Sequence, residues 1–260
     1  EFKTADNTVS IKYAEQESGY LAGYAAVKEG HTKLGFMGGQ AVPAVVNFGY
    51  GYVQGANDAA KELGINIELQ YKYTDSFIPD PAIQTEAASW YKSGTEIIFS
   101  CGGGIFASIS AAAQQNNGLV IGVDVDQNGE GEYVLTSAYK QLAHSVQVQL
   151  KAIDDGSFKG GQDLVLSAKD EAVGLPMKTS RFKKFTQADY DTLYKKLVND
   201  EVKIINNEGA KAVTDIKVSN KSYTCEIILC DWERVLGAFS FFVKLSWIWK
   251  IYLYLLKKKI

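Results

Sequence analysis

The stretch GVDVDQNGEGEYVLTSAYK, residues 122–140, places Asp124, Asp126, Glu130 and Glu132 in one loop and ends on Lys140. It reads as a buried strand, an acidic loop and a second short strand, so acids at one strand end meet a lysine returning beside them. Three chemistries compete for it. Asp124, Asp126, Asn128 and Gly129 match positions 1, 3, 5 and 6 of a helix-loop-helix calcium loop. Position 12, however, is Leu135 instead of a bidentate glutamate, and a β-run stands where the incoming helix belongs. The second reading is a solvated turn, with Asp124 as its initiating residue and Lys140 as the wet end of a strand. In the third, a carboxylate accepts both hydrogens of a vicinal diol, while a nearby ammonium keeps it ionised and donates to a hydroxyl. That is sugar chemistry.

Two further features fall at strand ends. Gly102, Gly103 and Gly104 follow the run EIIFSC, where glycines let a ligand approach the backbone or simply make a tight turn. No GK[ST] follows them and no GxGxxG motif succeeds a strand, so a nucleotide phosphate site is unsupported. Phe48, after GGQAVP, either stacks on a flat ring or packs in the core. His31 and His144 are isolated, no nucleophile has a base at motif spacing, and no metal cluster is visible. Neither an enzyme nor a bound cofactor is expected.

The elements that must position these residues alternate between short apolar runs and amphipathic segments, the pattern of parallel βαβ units and an α/β fold. Strands are expected at TVSIKYA, KLGFMGG, NIELQYKY, EIIFSCG, LVIGVDV, YVLTSA and QDLVLSA. Helices are expected at SGYLAGYAAVKE with Ser18 as N-cap, at VVNFGYGYVQGANDAAKELG closing on Gly64, and from Asp80-Pro81 to Gly94. A further helix runs from the cap Thr186 through TQADYDTLYKKLVNDE. Gly19 and Gly23 form a small-xxx-small pair suited to close helix packing. In an open sheet of this kind ligands bind beyond the carboxyl ends of the strands, where Asp124 and the three glycines sit.

Composition narrows the partners. With 260 residues and 46% hydrophobic content the chain can bury a sizeable core. Its net charge of −3 and the lack of any basic block before the last residues argue against nucleic acid. Three cysteines at no metal-ligand spacing say nothing of redox compartment. Residues 222–260 differ in kind, holding three of the four Trp and a charge of +3 against −6 for the rest. Lys244 and Lys250 interrupt an apolar run that would otherwise approach the ~20 residues of a membrane span, leaving an interfacial helix or a shifted reading frame as explanations.

The motifs EQESGYLAGYAA, KLGFMGGQAVPAVVNFGYGYVQGA, GVDVDQ, VLTSAYK and AVGLP, in this order, resemble the basic membrane protein family, purine nucleoside receptor-like substrate-binding lipoproteins. The resemblance covers residues 8 to about 218 and implies a type I periplasmic-binding-protein fold, two doubly wound parallel-sheet lobes joined by a hinge. It implies the extracytoplasmic substrate-binding component of an ABC importer, closing on a purine nucleoside and handing it to permease and ATPase subunits. Residues 17–137 would form lobe two, residues 1–16 and 138–221 the remaining part of an incomplete lobe one, and 222–260 a tail foreign to the family. A lipid anchor and a base-binding segment of lobe one would precede residue 1. Carried over, the resemblance implies that Phe48 stacks on the base, Asp124 takes the ribose hydroxyls with help from Lys140, and the backbone around Gly103 and Gly104 meets the sugar. Asp126 stands as a further acid near the ligand. A sugar-binding or regulator-type sensor of the same fold is the alternative.

Overall fold

The computed structural model describes residues 4–216. Five of the expected runs line up in a parallel sheet: β2 (Lys33–Gly38), β3 (Glu68–Tyr73), β4 (Ile97–Cys101), β5 (Leu119–Asp124) and β6 (Val134–Lys140), in the order β3-β2-β4-β5-β6. A two-residue strand, β8 (Val173–Gly174), adds antiparallel to the outer edge of β6. β4 is buried along its whole length and β2 along all but its first residue, as strands covered on both faces must be, whereas the edge strand β3 alternates. The cover comes from α1 (Glu15–Glu29) and α2 (Pro43–Leu63) on one face and α3 (Pro81–Lys92) and α4 (Ile105–Asn116) on the other. A separate parallel pair joins β1 (Val9–Tyr13) to β7 (Gln162–Leu166), with α5 (Leu142–Asp154) between β6 and β7 in the chain.

The helix ends follow local chemistry. Gly64 ends α2 with φ +66, Asp80 caps α3 by accepting from Ala82 N at 2.6 Å, and Thr186 and Asp189 form a capping box on α6 (Gln187–Val198). Ser18 is not a cap, because α1 begins three residues earlier. Its buried hydroxyl donates to Gly174 O at 3.0 Å, with Tyr139 O at 3.3 Å, tying α1 to the β6/β8 edge.

The expected division at residue 138 falls inside β6, one continuous strand of the larger sheet. Beyond β7 the chain returns to that sheet: Val173, Leu175, Phe185, Leu193, Leu197, Val213 and Ile216 share a core with α1 and α2. The physical reason is pairing and burial. β8 bonds to β6, and the apolar side of α6 has α1 to pack on. Among the described residues β1, α5 and β7 stand largely apart, Tyr13 at the end of β1 reaching the main core, and Leu142, Val146, Leu150 and Ile153 of α5 remain exposed with Val165. Residues 222–260 lie outside the described residues, and among those described no helix is long and apolar enough to cross a membrane.

Two stability predictions arise here. Tyr52 is fully buried against Phe36 and Phe99, and its hydroxyl makes no hydrogen bond. A buried, unpaired hydroxyl costs about 1–3 kcal/mol, so Tyr52→Phe should leave stability unchanged or raise it by about 1 kcal/mol in urea unfolding. A loss of more than that would mean the hydroxyl has a partner.

Glu29, at the end of α1, accepts backbone N–H groups from Lys183, Lys184 and Phe185 at 2.8–3.0 Å. Burial opposes its charge, but these three donors outweigh that and hold the carboxyl below its ordinary value. A depressed folded value stabilises the native state above the unfolded carboxyl range, and that contribution is lost as acid takes the solution through the folded value. Glu29→Gln should therefore cost about 1–3 kcal/mol at pH 7 and progressively less below pH ~4. Melting temperatures of the two proteins across pH 3–7 check this, and parallel curves would refute it.

Candidate ligand-binding site

Asp124 is the last residue of β5 and Lys140 the last of β6, and because the two strands are neighbours in register, Asp124 lies beside Tyr139. Asp124 has φ +65, a left-handed conformation that only Gly, Asn and Asp adopt readily. The turn it makes leaves its side chain 47% exposed at the carboxyl end of the sheet. Lys140 Nζ lies 3.1 Å from Asp124 Oδ1 and is itself only 13% exposed. Oδ1 is buried against that ammonium, so the exposure of the side chain lies with the other carboxylate oxygen.

Sequence reasoning missed the third member of this cluster. Glu15, the first residue of α1 and 9% exposed in its side chain, places Oε1 3.3 Å from the same Nζ. The only sequence signal was its place in the motif EQESGYLAGYAA. Asn47 Nδ2 points at the other oxygen of Glu15 at 3.4 Å. The ammonium also sits over the rings of Phe48 at 5.1 Å and Tyr13 at 5.5 Å, within cation–π range. Burial by itself would depress the lysine, and it is the largest single effect, but the carboxylates of Asp124 and Glu15 together reverse it and hold Lys140 above its ordinary value. Lys140 is a fixed cation here.

The other expected residues divide. Gly103 has φ +55 with open space where a Cβ would be, and Gly104 is the N-cap of α4, both exposed, so this backbone is accessible at the end of β4. Phe48, by contrast, is 1% exposed and packs edge-on against Phe99 at 5.9 Å, so its ring meets the core and the lysine and is not offered to a flat ligand. The apolar face of α2 claims it, because its position points at β4. Asp126 is also withdrawn from the cluster: Oδ1 accepts from Asn128 N at 3.0 Å and Oδ2 from Thr179 Oγ1 at 2.6 Å, which fastens the loop to the segment after β8.

An aromatic suited to stacking is present elsewhere. Phe77, in the loop after β3, is 38% exposed. A Cβ on Gly39 would fall 2.5 Å from its ring and one on Gly104 2.6 Å from its carbonyl, so both glycines are needed to seat it. The sheet order reverses between β2 and β4, and such a switch point is where open α/β sheets bind ligands. Phe77 and Gly103 therefore flank the natural crevice, with Asp124 and Lys140 at the ends of the next strands. A cavity of about 520 Å³ at the opposite, amino-terminal end of the sheet is lined by Glu29, His31, Glu132 and Lys183 among others. It lies away from this crevice.

The doubly wound parallel sheet is a fold shared with solved solute-binding proteins. An ABC transporter system solute-binding protein from Aeropyrum pernix K1 superposes with a TM-score of 0.67 over 82% of this chain and 70% of that one, at 21% identity. Another from Conexibacter woesei DSM 14684 gives 0.64 over 78% and 67%, at 23% identity. Residues 2–215 match the Bmp family model, described as ABC transporter substrate-binding protein PnrA-like, and the chain belongs to this family. The ABC transporter nucleoside-binding protein BmpA of Lactococcus lactis subsp. cremoris is 33% identical over 202 residues, covering 70% of this chain and 56% of that protein. Basic membrane protein A1 of Borrelia garinii subsp. bavariensis is 30% identical over 207 residues, 78% and 60% of the two. The chain thus spans somewhat under two thirds of these relatives' length.

Proposed function

We propose that this chain binds a purine nucleoside at the carboxyl end of its six-stranded sheet, as part of the extracytoplasmic substrate-binding component of an ABC importer. The observation that carries the reading is the half-exposed Asp124 carboxylate at a strand end, with a buried ammonium beside it. Its exposed oxygen can accept from the hydroxyls of a ribose diol, and charge-assisted bonds of this kind are about twice as strong as neutral ones. Phe77, not Phe48, would stack on the base, and the Gly103–Gly104 backbone would meet the sugar. The name of the Lactococcus lactis relative favours a nucleoside as the ligand.

In this reading no bond is made or broken. The β1/β7 pair and the apolar, exposed side of α5 belong to a second lobe, and ligand bridging the lobes stabilises the shut form by contacts made only there. Permease and ATPase subunits are the implied partners, with a lipid anchor as the tether to the membrane. Titration calorimetry with guanosine, adenosine, inosine and their 2′-deoxy counterparts tests the proposal. Ribonucleosides should bind at least about 10-fold more tightly than the deoxy forms, since losing one hydroxyl of the diol leaves an acceptor unpaired. Equal affinities would remove the diol from the mechanism, and turnover to free base would replace binding by catalysis.

A further inference from the structure

We infer that Glu15 is a positioning residue for this site: from the first turn of α1 it shares the Lys140 ammonium with Asp124 and so keeps one oxygen of the Asp124 carboxylate open to ligand hydroxyls. The inference rests on the proposed function for what the ligand is, and on geometry for what Glu15 does.

An acid in the first turn of a helix is favoured by the helix dipole, but a solvent-facing side chain would serve that end equally well. Glu15 instead turns inward, where an uncompensated charge is costly. Its compensation is shared. One Nζ stands 3.3 Å from Glu15 and 3.1 Å from Asp124, so a single cation faces two anions. Lysine is a point charge on a flexible four-carbon stem, and with one anion removed it would close on the other with more than one of its three donors. Closed on Asp124 alone, it would reach past the buried Oδ1 to the second carboxylate oxygen, where the exposure of the side chain lies. The division of the ammonium between two acids is what leaves that second oxygen available. Cys101, also buried nearby, feels all three charges but contributes none of its own, since burial keeps its thiol protonated.

Glu15 is held in its orientation from a distant part of the chain. Asn47 points its amide nitrogen at Glu15 and accepts from Asn207 N at 2.9 Å. The segment carrying Asn207 is itself strapped to α2, with Ile205 N donating to Gln54 Oε1 at 2.9 Å and Gln54 Nε2 donating to Ile205 O at 2.8 Å. A series of contacts therefore runs from residues 205–207 through Asn47 and Glu15 to Lys140 and Asp124.

The test is Glu15→Gln, which keeps size and an amide near Asn47 but removes the charge. Two readouts are separable. A crystal structure of the ligand-free variant should show Lys140 Nζ moved onto Asp124 and within hydrogen-bond distance of both its oxygens. Titration calorimetry should show guanosine weakened about 10-fold or more and its preference over 2′-deoxyguanosine reduced to less than about 3-fold. A residue with a merely structural role would weaken both ligands alike and leave the preference intact. Lys140 in its wild-type position together with an unchanged ribose preference would overturn the inference. If the wild-type protein binds no nucleoside, the functional reading fails, and the position of Nζ in the variant still decides the role of Glu15. Should Glu15→Gln fail to fold, Asn47→Ala is expected to shift Lys140 and the ribose preference in the same direction, and wild-type behaviour there counts against the inference.

Discussion

Asp124→Ala is expected to weaken guanosine binding by at least ~2 kcal/mol, roughly 30-fold, the cost of losing a charge-assisted contact to a diol. The residue stands at the strand end where the chain must turn, with φ +65, and there alanine is less at home than aspartate. Two companion substitutions separate backbone from charge. Asp124→Gly removes the carboxylate and suits the backbone, so it should unfold no more easily than the wild type while binding as poorly as the alanine variant. Asp124→Asn keeps the left-handed tolerance and one acceptor oxygen, and should fall between. In both, Lys140 retains Glu15 as a counterion, which guards against a buried lone ammonium. Unchanged affinity in Asp124→Gly, measured by calorimetry, would move the site elsewhere.

Gly55→Ala is expected to destabilise the fold by about 3 kcal/mol or more, near the top of the range for overpacked cores. Helix propensity alone predicts the opposite, a gain of up to ~1 kcal/mol for alanine over glycine inside a helix. The decisive quantity is backbone proximity. A Cβ on Gly55 would fall 2.0 Å from Tyr20 O, one on Gly51 2.0 Å from Gln16 O, and those on Gly19 and Gly23 2.1 Å from Phe48 O and Tyr52 O. None of these atoms ends a flexible side chain, so α1 and α2 would have to separate. Because α1 carries Glu15 and α2 carries Asn47 and Phe48, separation also pulls apart the surroundings of Lys140. Urea unfolding should show the loss in stability, and ribonucleoside binding should fall with it. A raised midpoint for Gly55→Ala would show that the helices tolerate the extra carbon.

Burial and close approach explain which sequence expectations held. The strands were legible because apolar runs in a two-faced sheet need no partner to be recognised, and the Asp80, Thr186 and Gly64 boundaries because capping is local chemistry. Ser18 has the composition of a cap, and only the packing of α1 against β6 and β8 makes it a buried tether. The Gly19/Gly23 pair was visible as close-packing residues, whereas their counterparts Gly51 and Gly55 stand out only when the two helices are seen to cross.

By itself the sequence determined the parallel α/β alternation, the acid at the end of β5 and the lysine at the end of β6, since strand ends and residue types are properties of short stretches. The tertiary structure decided the rest. It joined Glu15 to those two across more than a hundred residues, sent Phe48 into the core, left Phe77 exposed, and bound Asp126 to Thr179. Those outcomes depend on which faces are buried and which distant groups meet, and no local pattern encodes that.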